Sequence, residues 1–176
     1  LFLRETHSQT ILVGEKEPDI EKIKASRHQN NNSVLGDNVL EICRAADITF
    51  FALHGEEGEN GQLQATFDVA GIKYTGCGYL GSALAMNKSL SKKLFACSGI
   101  QTPSGITVYA GEAPYSDVGF PCVVKPCSGG SSVGTSIVSN REEYDAALVL
   151  AFKYERAVIV EQYIKGRELT VGVIDG

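Results

Sequence analysis

The residues of this chain best suited to chemistry are two lysines beside apolar segments and two glycine-rich loops. Lys125 closes the apolar run Pro121-Cys122-Val123-Val124, and Pro126-Cys127-Ser128-Gly129-Gly130-Ser131-Ser132-Val133-Gly134 follows it. A lysine on a buried strand needs an anion to offset its desolvation. Successive backbone N–H groups in a serine-glycine loop form an anion nest. A triphosphate would satisfy both demands. The lysine precedes the glycines, the reverse of a Walker A loop. The same residues also suit a plain hairpin loop whose lysine snorkels to solvent, and the local pattern leaves both readings open. Lys88, in Met86-Asn87-Lys88, reads by itself as a surface lysine and gains meaning only in the company of Lys125.

The second loop is His54-Gly55-Glu56-Glu57-Gly58-Glu59-Asn60-Gly61-Gln62-Leu63-Gln64-Ala65. It sits where an apolar strand gives way to a helix, and in open α/β sheets ligands bind at the carboxyl ends of strands. The helix N-terminus offers free N–H groups and a positive dipole end, suited to a carboxylate. A tight turn before a capped helix fits equally well. Further on, Glu161 ends an apolar strand and Glu168 opens the next segment after a glycine turn. One such carboxylate could accept from an adenine amino group and the other from ribose hydroxyls. Taken alone, both read better as solvent-facing acids at strand ends.

The elements that must position these residues alternate. Residues 14–38 are polar and read as a surface loop with one short helix, the asparagine run being a solvated turn. A helix is predicted over 37–46, then a strand over 48–53 buried on both faces. A helix over 61–70 is stopped by Gly71. A short strand covers 72–75, and a helix covers 80–98 and ends at Gly99. After residue 85 the pattern changes. Strands are predicted at 105–109, 121–125, 135–138, 157–161 and 168–174. A helix covers 140–154, with Asn140 as N-cap and Glu143 completing a capping box. Strand–helix alternation followed by hairpin strands under one helix implies an α/β layer and then a small α+β domain.

Bulk properties exclude other classes. The chain has 176 residues, 43% hydrophobic and 21% charged, with a net charge of −5. That balance gives no footprint for nucleic acid or an anionic membrane. No apolar run reaches the ~20 residues of a membrane helix, and no signal peptide is visible. The five cysteines contain no Cys-x-x-Cys pair. They are read as buried, reduced thiols of a cytoplasmic protein, not as a disulfide framework or zinc site. The chain begins at Leu1 without methionine and stops at Gly176 as a strand-like run ends. It is therefore expected to be a fragment.

Together the motifs resemble the D-alanine–D-alanine ligases of the ATP-grasp superfamily. The resemblance rests on His54-Gly55-x-x-Gly58-Glu59-Asn60-Gly61-x-Leu63-Gln64-Ala65 and Gly71-Ile72-x-Tyr74-Thr75-Gly76. It also rests on Ser82-Ala83-Leu84-Ala85-Met86-Asn87-Lys88, Lys125-Pro126 and Gly130-Ser131-Ser132-Val133-Gly134, all in the family's order. Many members carry Asp where this chain has Asn60. The resemblance covers residues 47–176 and is weak before them. It implies a Rossmann-like N-terminal α/β domain on the substrate side over 1–85. A central ATP-grasp α+β domain would follow over 86–160, and the start of the C-terminal ATP-grasp part over 161–176.

For the site, the resemblance implies that Lys88 and Lys125 bind ATP phosphates. Gly129, Gly130, Ser131, Ser132, Val133 and Gly134 would form the loop that closes over them. Glu161 would meet the adenine amino group and the Ile164 backbone N–H the ring, with Gln162 and Tyr163 between. Glu168 would hold the ribose. His54 and Glu59 would lie near the first D-alanine, and Ser131 would help position substrate. One D-alanine carboxylate would attack the γ-phosphate to give an acyl phosphate, and the amine of a second would expel phosphate. Mg²⁺ and the lysines would neutralise charge, and loop closure would keep water out. The product serves peptidoglycan synthesis. A homodimer is expected. The metal ligands and a catalytic arginine are expected C-terminal to this chain, so no metal ligand is named within it, and alone it is expected to be inactive. The alternatives are a D-alanine–D-lactate or D-serine ligase, another ATP-grasp carboxylate–amine ligase, or a non-catalytic nucleotide-binding module.

Overall fold

The computed structural model describes residues 19–26, 33–36, 38–112, 118–130 and 132–174. The asparagine run and Ser131 lie outside these residues. Contacts divide the chain into residues 1–42 and 43–176. The first unit contains α1 (Ile20–Ala25), where the Asp19 side chain accepts from the Lys22 N–H at 3.0 Å and so caps the first turn. Helix α2 (Val39–Ala45) straddles the division and has no buried residue.

The second unit opens on a small aromatic core. Thr49 and Tyr74 form a parallel bridge, with the Thr49 N–H donating to Lys73 O at 2.8 Å and the Thr75 N–H to Thr49 O at 3.0 Å. Phe51 stacks on Tyr74 and meets the edge of Phe67, each at 5.0 Å between ring centroids. The predicted strands at 48–53 and 72–75 reduce to this one bridge. Burial on both faces is also overturned: Ile48, Phe50 and Leu53 are all more than half exposed. A run becomes a strand only where its backbone groups find partners along its edges, and among the described residues the pairing stops after one bridge.

Four helices follow: α3 (Glu56–Glu59), α4 (Gln62–Ala70), α5 (Tyr79–Met86) and α6 (Lys88–Cys97). Leu63 and Phe67 of α4 are buried, and α4 ends at Gly71 as predicted. The single helix predicted over 80–98 is two. Asn87 ends α5, and its side chain accepts from the Leu90 N–H at 3.0 Å to start α6. Asparagine competes well for this capping position, whereas the apolar spacing runs on through the break. The consequence is functional: Lys88 becomes the first residue of a helix instead of an interior one.

The remaining strands form an antiparallel sheet in the order β1-β4-β2-β3, from β1 (Gly105–Tyr109), β2 (Cys122–Pro126), β3 (Ser136–Val138) and β4 (Ala157–Gln162). Helix α7 (Arg141–Ala151) packs against β2 and β3. Val108, Cys122, Val124, Val138, Val158 and Val160 are buried in one cluster with Tyr144, Ala147 and Ala151 of α7. Each such aliphatic side chain contributes about 1.5–3 kcal/mol. Strand residues alternate faces, so Lys125, Ile159 and Glu161 lie on the opposite face from this cluster. That is the face α6 meets, the Thr107 hydroxyl donating to Ser89 Oγ at 2.8 Å. The strand predicted at 168–174 does not form. Leu169, Val171, Val173 and Ile174 are exposed, without a pairing strand among the described residues.

The Asn140 cap is as predicted. Asn140 Oδ1 accepts from the Glu143 N–H at 3.0 Å, and the Glu143 carboxylate accepts from the Ser139 N–H at 2.7 Å. Asn140→Ala is expected to cost about 1 kcal/mol, read as a lower urea midpoint at constant slope. The cysteines only partly match expectation. All five are free, but just Cys122 and Cys127 are buried, while Cys77 and Cys97 are exposed at a turn and a helix end. Among the described residues no helix is long and apolar enough to cross a membrane.

Candidate functional site

The break at Asn87 turns α6 toward the sheet and brings three lysines to one cavity. A space of about 390 Å³ is lined by Lys88, Lys92, Lys125, Glu161, Phe95 and Thr102 among others. Three ammonium groups face one carboxylate there, so the cavity favours an anion. Lys125 Nζ donates to Glu161 Oε1, and Lys92 Nζ donates to Glu161 Oε2 at 2.7 Å. Burial alone would push the Glu161 carboxyl up. The hydrogen bonds from Lys125 and Lys92 outweigh it and hold the group below the usual carboxylate range.

Lys88 reaches the serine-glycine loop. Its backbone N–H donates to Cys127 O at 3.0 Å, and its Nζ donates to Gly129 O at 2.5 Å and Cys127 O at 3.4 Å. Burial first, and the Lys125 charge second, hold the Lys88 ammonium below the usual lysine range. A lysine in the first turn of a helix also opposes the helix dipole. An incoming anion would relieve all three penalties. The same end of the loop is tied down from Glu155 too, the Ser128 N–H donating to Glu155 Oε2 at 2.6 Å.

The two glycine loops face each other. A second cavity of about 760 Å³ is lined by His54, Glu59 and Asn60 on one side and by Ser128, Gly129, Gly130 and Val133 on the other. Within the first loop the Glu59 carboxylate accepts from the Gly55 N–H at 2.6 Å, and Gln64 Nε2 donates to Gly58 O at 2.8 Å. Asn60 Oδ1 accepts from the Gln62 N–H at 3.0 Å, so one N–H at the start of α4 is already satisfied. His54 is exposed at the cavity mouth.

The structure thus brings Lys88, Lys125 and Glu161 to one cavity, and His54, Glu59, Gly129, Gly130 and Val133 to its neighbour. Gly134 is buried against Pro126 and Tyr154, and Ser132 is exposed. Gln162 is the exposed last residue of β4, Ile164 and Glu168 are exposed after the sheet, and Tyr163 is half-buried, its N–H donating to Pro121 O at 3.3 Å. Glu168 is not among the residues lining either cavity. Sequence reasoning missed Lys92, although its position one helical turn after Lys88 was a usable signal. It also gave Lys125 a ligand as its anion, whereas the anion in this structure is Glu161.

Comparison with known proteins shows the family. The family model described as the D-ala D-ala ligase N-terminus matches residues 2–77, and that for the D-ala D-ala ligase C-terminus matches residues 108–176. The chain belongs to the D-alanine–D-alanine ligase family. A D-alanine–D-alanine ligase of Lacticaseibacillus casei is 46% identical over 171 residues, covering 96% of this chain and 46% of that protein. One from Pediococcus pentosaceus is 43% identical, covering 91% of this chain and 45% of the relative. Among solved structures, the Bacillus anthracis family member complexed with ATP is 38% identical with a TM-score of 0.67, covering 73% of this chain and 44% of that one. The VanG D-Ala:D-Ser ligase of Enterococcus faecalis is 39% identical with a TM-score of 0.63, covering 69% and 37%. Family members of this kind carry the ATP-grasp fold, and the mixed helices and antiparallel sheet described above are this chain's share of it. The chain spans about half the length of the curated relatives it matches.

Proposed function

We propose that the protein to which this chain belongs joins two D-alanines, with conversion of ATP to ADP, by way of an acyl phosphate, for cell-wall precursor synthesis. The observation that carries this reading is the convergence of Lys88 and Lys125 on one cavity, with the serine-glycine loop held by Lys88 at its edge. The lysines would receive the phosphates and give their charge to the transferred phosphoryl group. Lys88 would exchange the Gly129 carbonyl for a phosphate oxygen, freeing the loop to close and exclude water. His54 and Glu59 across the second cavity would border the first D-alanine, and Ser131 would position it. Glu161 through Ile164 would take the base and Glu168 the ribose.

Mg²⁺, when bound, would share the phosphate charge. Among the described residues no group of three or more His, Cys, Asp or Glu side chains is placed to hold a metal ion, so its ligands are proposed to lie elsewhere in the full-length protein. Cytoplasmic location, a homodimer, and domain limits at residues 85 and 160 belong to the same reading. The likeness to a D-Ala:D-Ser ligase favours one second reading, in which the second substrate is D-serine. Incubating the full-length protein with ATP and single amino or hydroxy acids decides between them. Phosphate release is expected to require D-alanine and to need no other amino acid. Release independent of D-alanine would remove the assignment, and release needing D-serine as well would select the second reading.

A further inference from the structure

Lys92 and Lys125 hold the same carboxylate, but they are bound very differently. The Lys92 ammonium donates to Glu161 Oε2 at 2.7 Å, to Thr102 Oγ1 at 3.2 Å and to the Pro103 carbonyl. An ammonium has three protons, so all of them are committed and Lys92 is locked between α6, the segment before β1, and β4. Lys125 has one hydrogen-bond partner among the described residues, Glu161 itself, and keeps two protons to offer. Lys92 is the fixed partner and Lys125 the movable one.

We infer that Lys92 is a positioning residue for base selection, which keeps Glu161 an oriented carboxylate when a nucleotide's phosphates draw Lys125 toward them. This rests on the reading that Glu161 meets the base and Lys125 the phosphates. Glu161 is only 8% exposed, and a carboxylate so placed takes up a proton more readily once its cations are withdrawn. The protonation state decides selectivity. An ionised carboxylate only accepts hydrogen bonds, whereas a protonated one can also donate. The ionised form pairs with a purine bearing a 6-amino group and is repelled by the 6-carbonyl of inosine. The protonated form accommodates either. Burial raises the Glu161 carboxyl while the two lysines lower it, so loss of Lys92 moves its titration upward.

The test uses the full-length protein, with KM and kcat measured for ATP and inosine triphosphate from about pH 5 to about pH 8. Lys92→Met is expected to raise KM for ATP about tenfold with kcat within about twofold, and to cut the preference for ATP over inosine triphosphate about tenfold. Both effects should grow as the pH falls, and Lys92→Arg should restore most of the preference. Should Lys92→Met fail to fold, Lys92→Gln leaves an amide donor without charge and carries the same expectation. An unchanged nucleotide preference and pH profile in the folded variant overturns the inference. Glu161→Gln separates the two layers of the argument. If it too leaves the preference unchanged, the placement of the base on Glu161 has failed. If it abolishes the preference while Lys92→Met does not, only the role of Lys92 has.

Discussion

Lys125→Met in the full-length protein is expected to lower ATP turnover by about 10³-fold and to lower the melting temperature as well. The first effect follows from removing a cation aimed at developing phosphoryl charge. The second follows from Glu161, whose side chain is 10% exposed and accepts from Lys125 on one oxygen. A hydrogen bond to a charged group contributes about 1.5–3 kcal/mol. Lys92 remains on the other oxygen, so the lower end of that range applies. The pH dependence gives a further check. In the wild type the Glu161 carboxyl is held below the usual range. It therefore contributes stability that is present above its unfolded pKa and is lost as pH falls through its folded one. Removing Lys125 raises the folded value, so the stability difference between variant and wild type should be full near neutrality and shrink in acid. Phosphate release and thermal melts at two pH values measure all three effects. Near-normal turnover would count against the phosphate role. A wild-type melt at neutral pH would mean that Glu161 does not depend on Lys125.

That second effect was not legible in the sequence, and the reason is physical. Lys125 plainly needed an anion, but the pairing that supplies one depends on strand register. Val123 lies opposite Glu161 and Lys125 opposite Ile159, across an antiparallel pair of β2 and β4. This puts Lys125 and Glu161 diagonally on one face, from segments 36 positions apart. No local pattern encodes that. Features fixed by neighbouring residues were legible: the Asn140 cap, the Gly71 stop, and the apolar runs that form β2 and β4. The break at Asn87 sits between these cases. Its cap is local, but the apolar spacing of Leu84, Leu90 and Leu94 continues across it and disguises the end of one helix and the start of the next. Segments 48–53 and 168–174 misled for one shared reason. Both are apolar enough to pair as strands, and what they lack among the described residues is partners, which composition does not report.

Gly61→Ala is expected to be the most damaging single-methyl change in the motif that follows His54. Gly61 has φ of +90°, and a Cβ built there would lie 2.3 Å from the Tyr79 carbonyl oxygen and 3.2 Å from Ala83 Cβ. Two penalties combine. The left-handed backbone costs a side chain about 1–2 kcal/mol, and overpacking against a neighbour that cannot rotate away costs about 1–3 kcal/mol more. Gly71 separates them. It also has a positive φ, +67°, yet a Cβ there meets nothing within 4 Å. Gly71→Ala should therefore carry the backbone cost alone. The difference between the two variants in urea unfolding, at equal slope, measures the close approach of the α4 N-terminus to α5. Relief of the clash requires α5 to move, and α5 leads through Asn87 directly into Lys88. Gly61→Ala should consequently raise KM for ATP in the full-length protein, whereas Gly71→Ala should leave it near wild type. Equal unfolding costs for the two would show that the approach at Tyr79 is not tight. A lower midpoint for Gly61→Ala with unchanged KM would show that α5 yields without carrying Lys88 along.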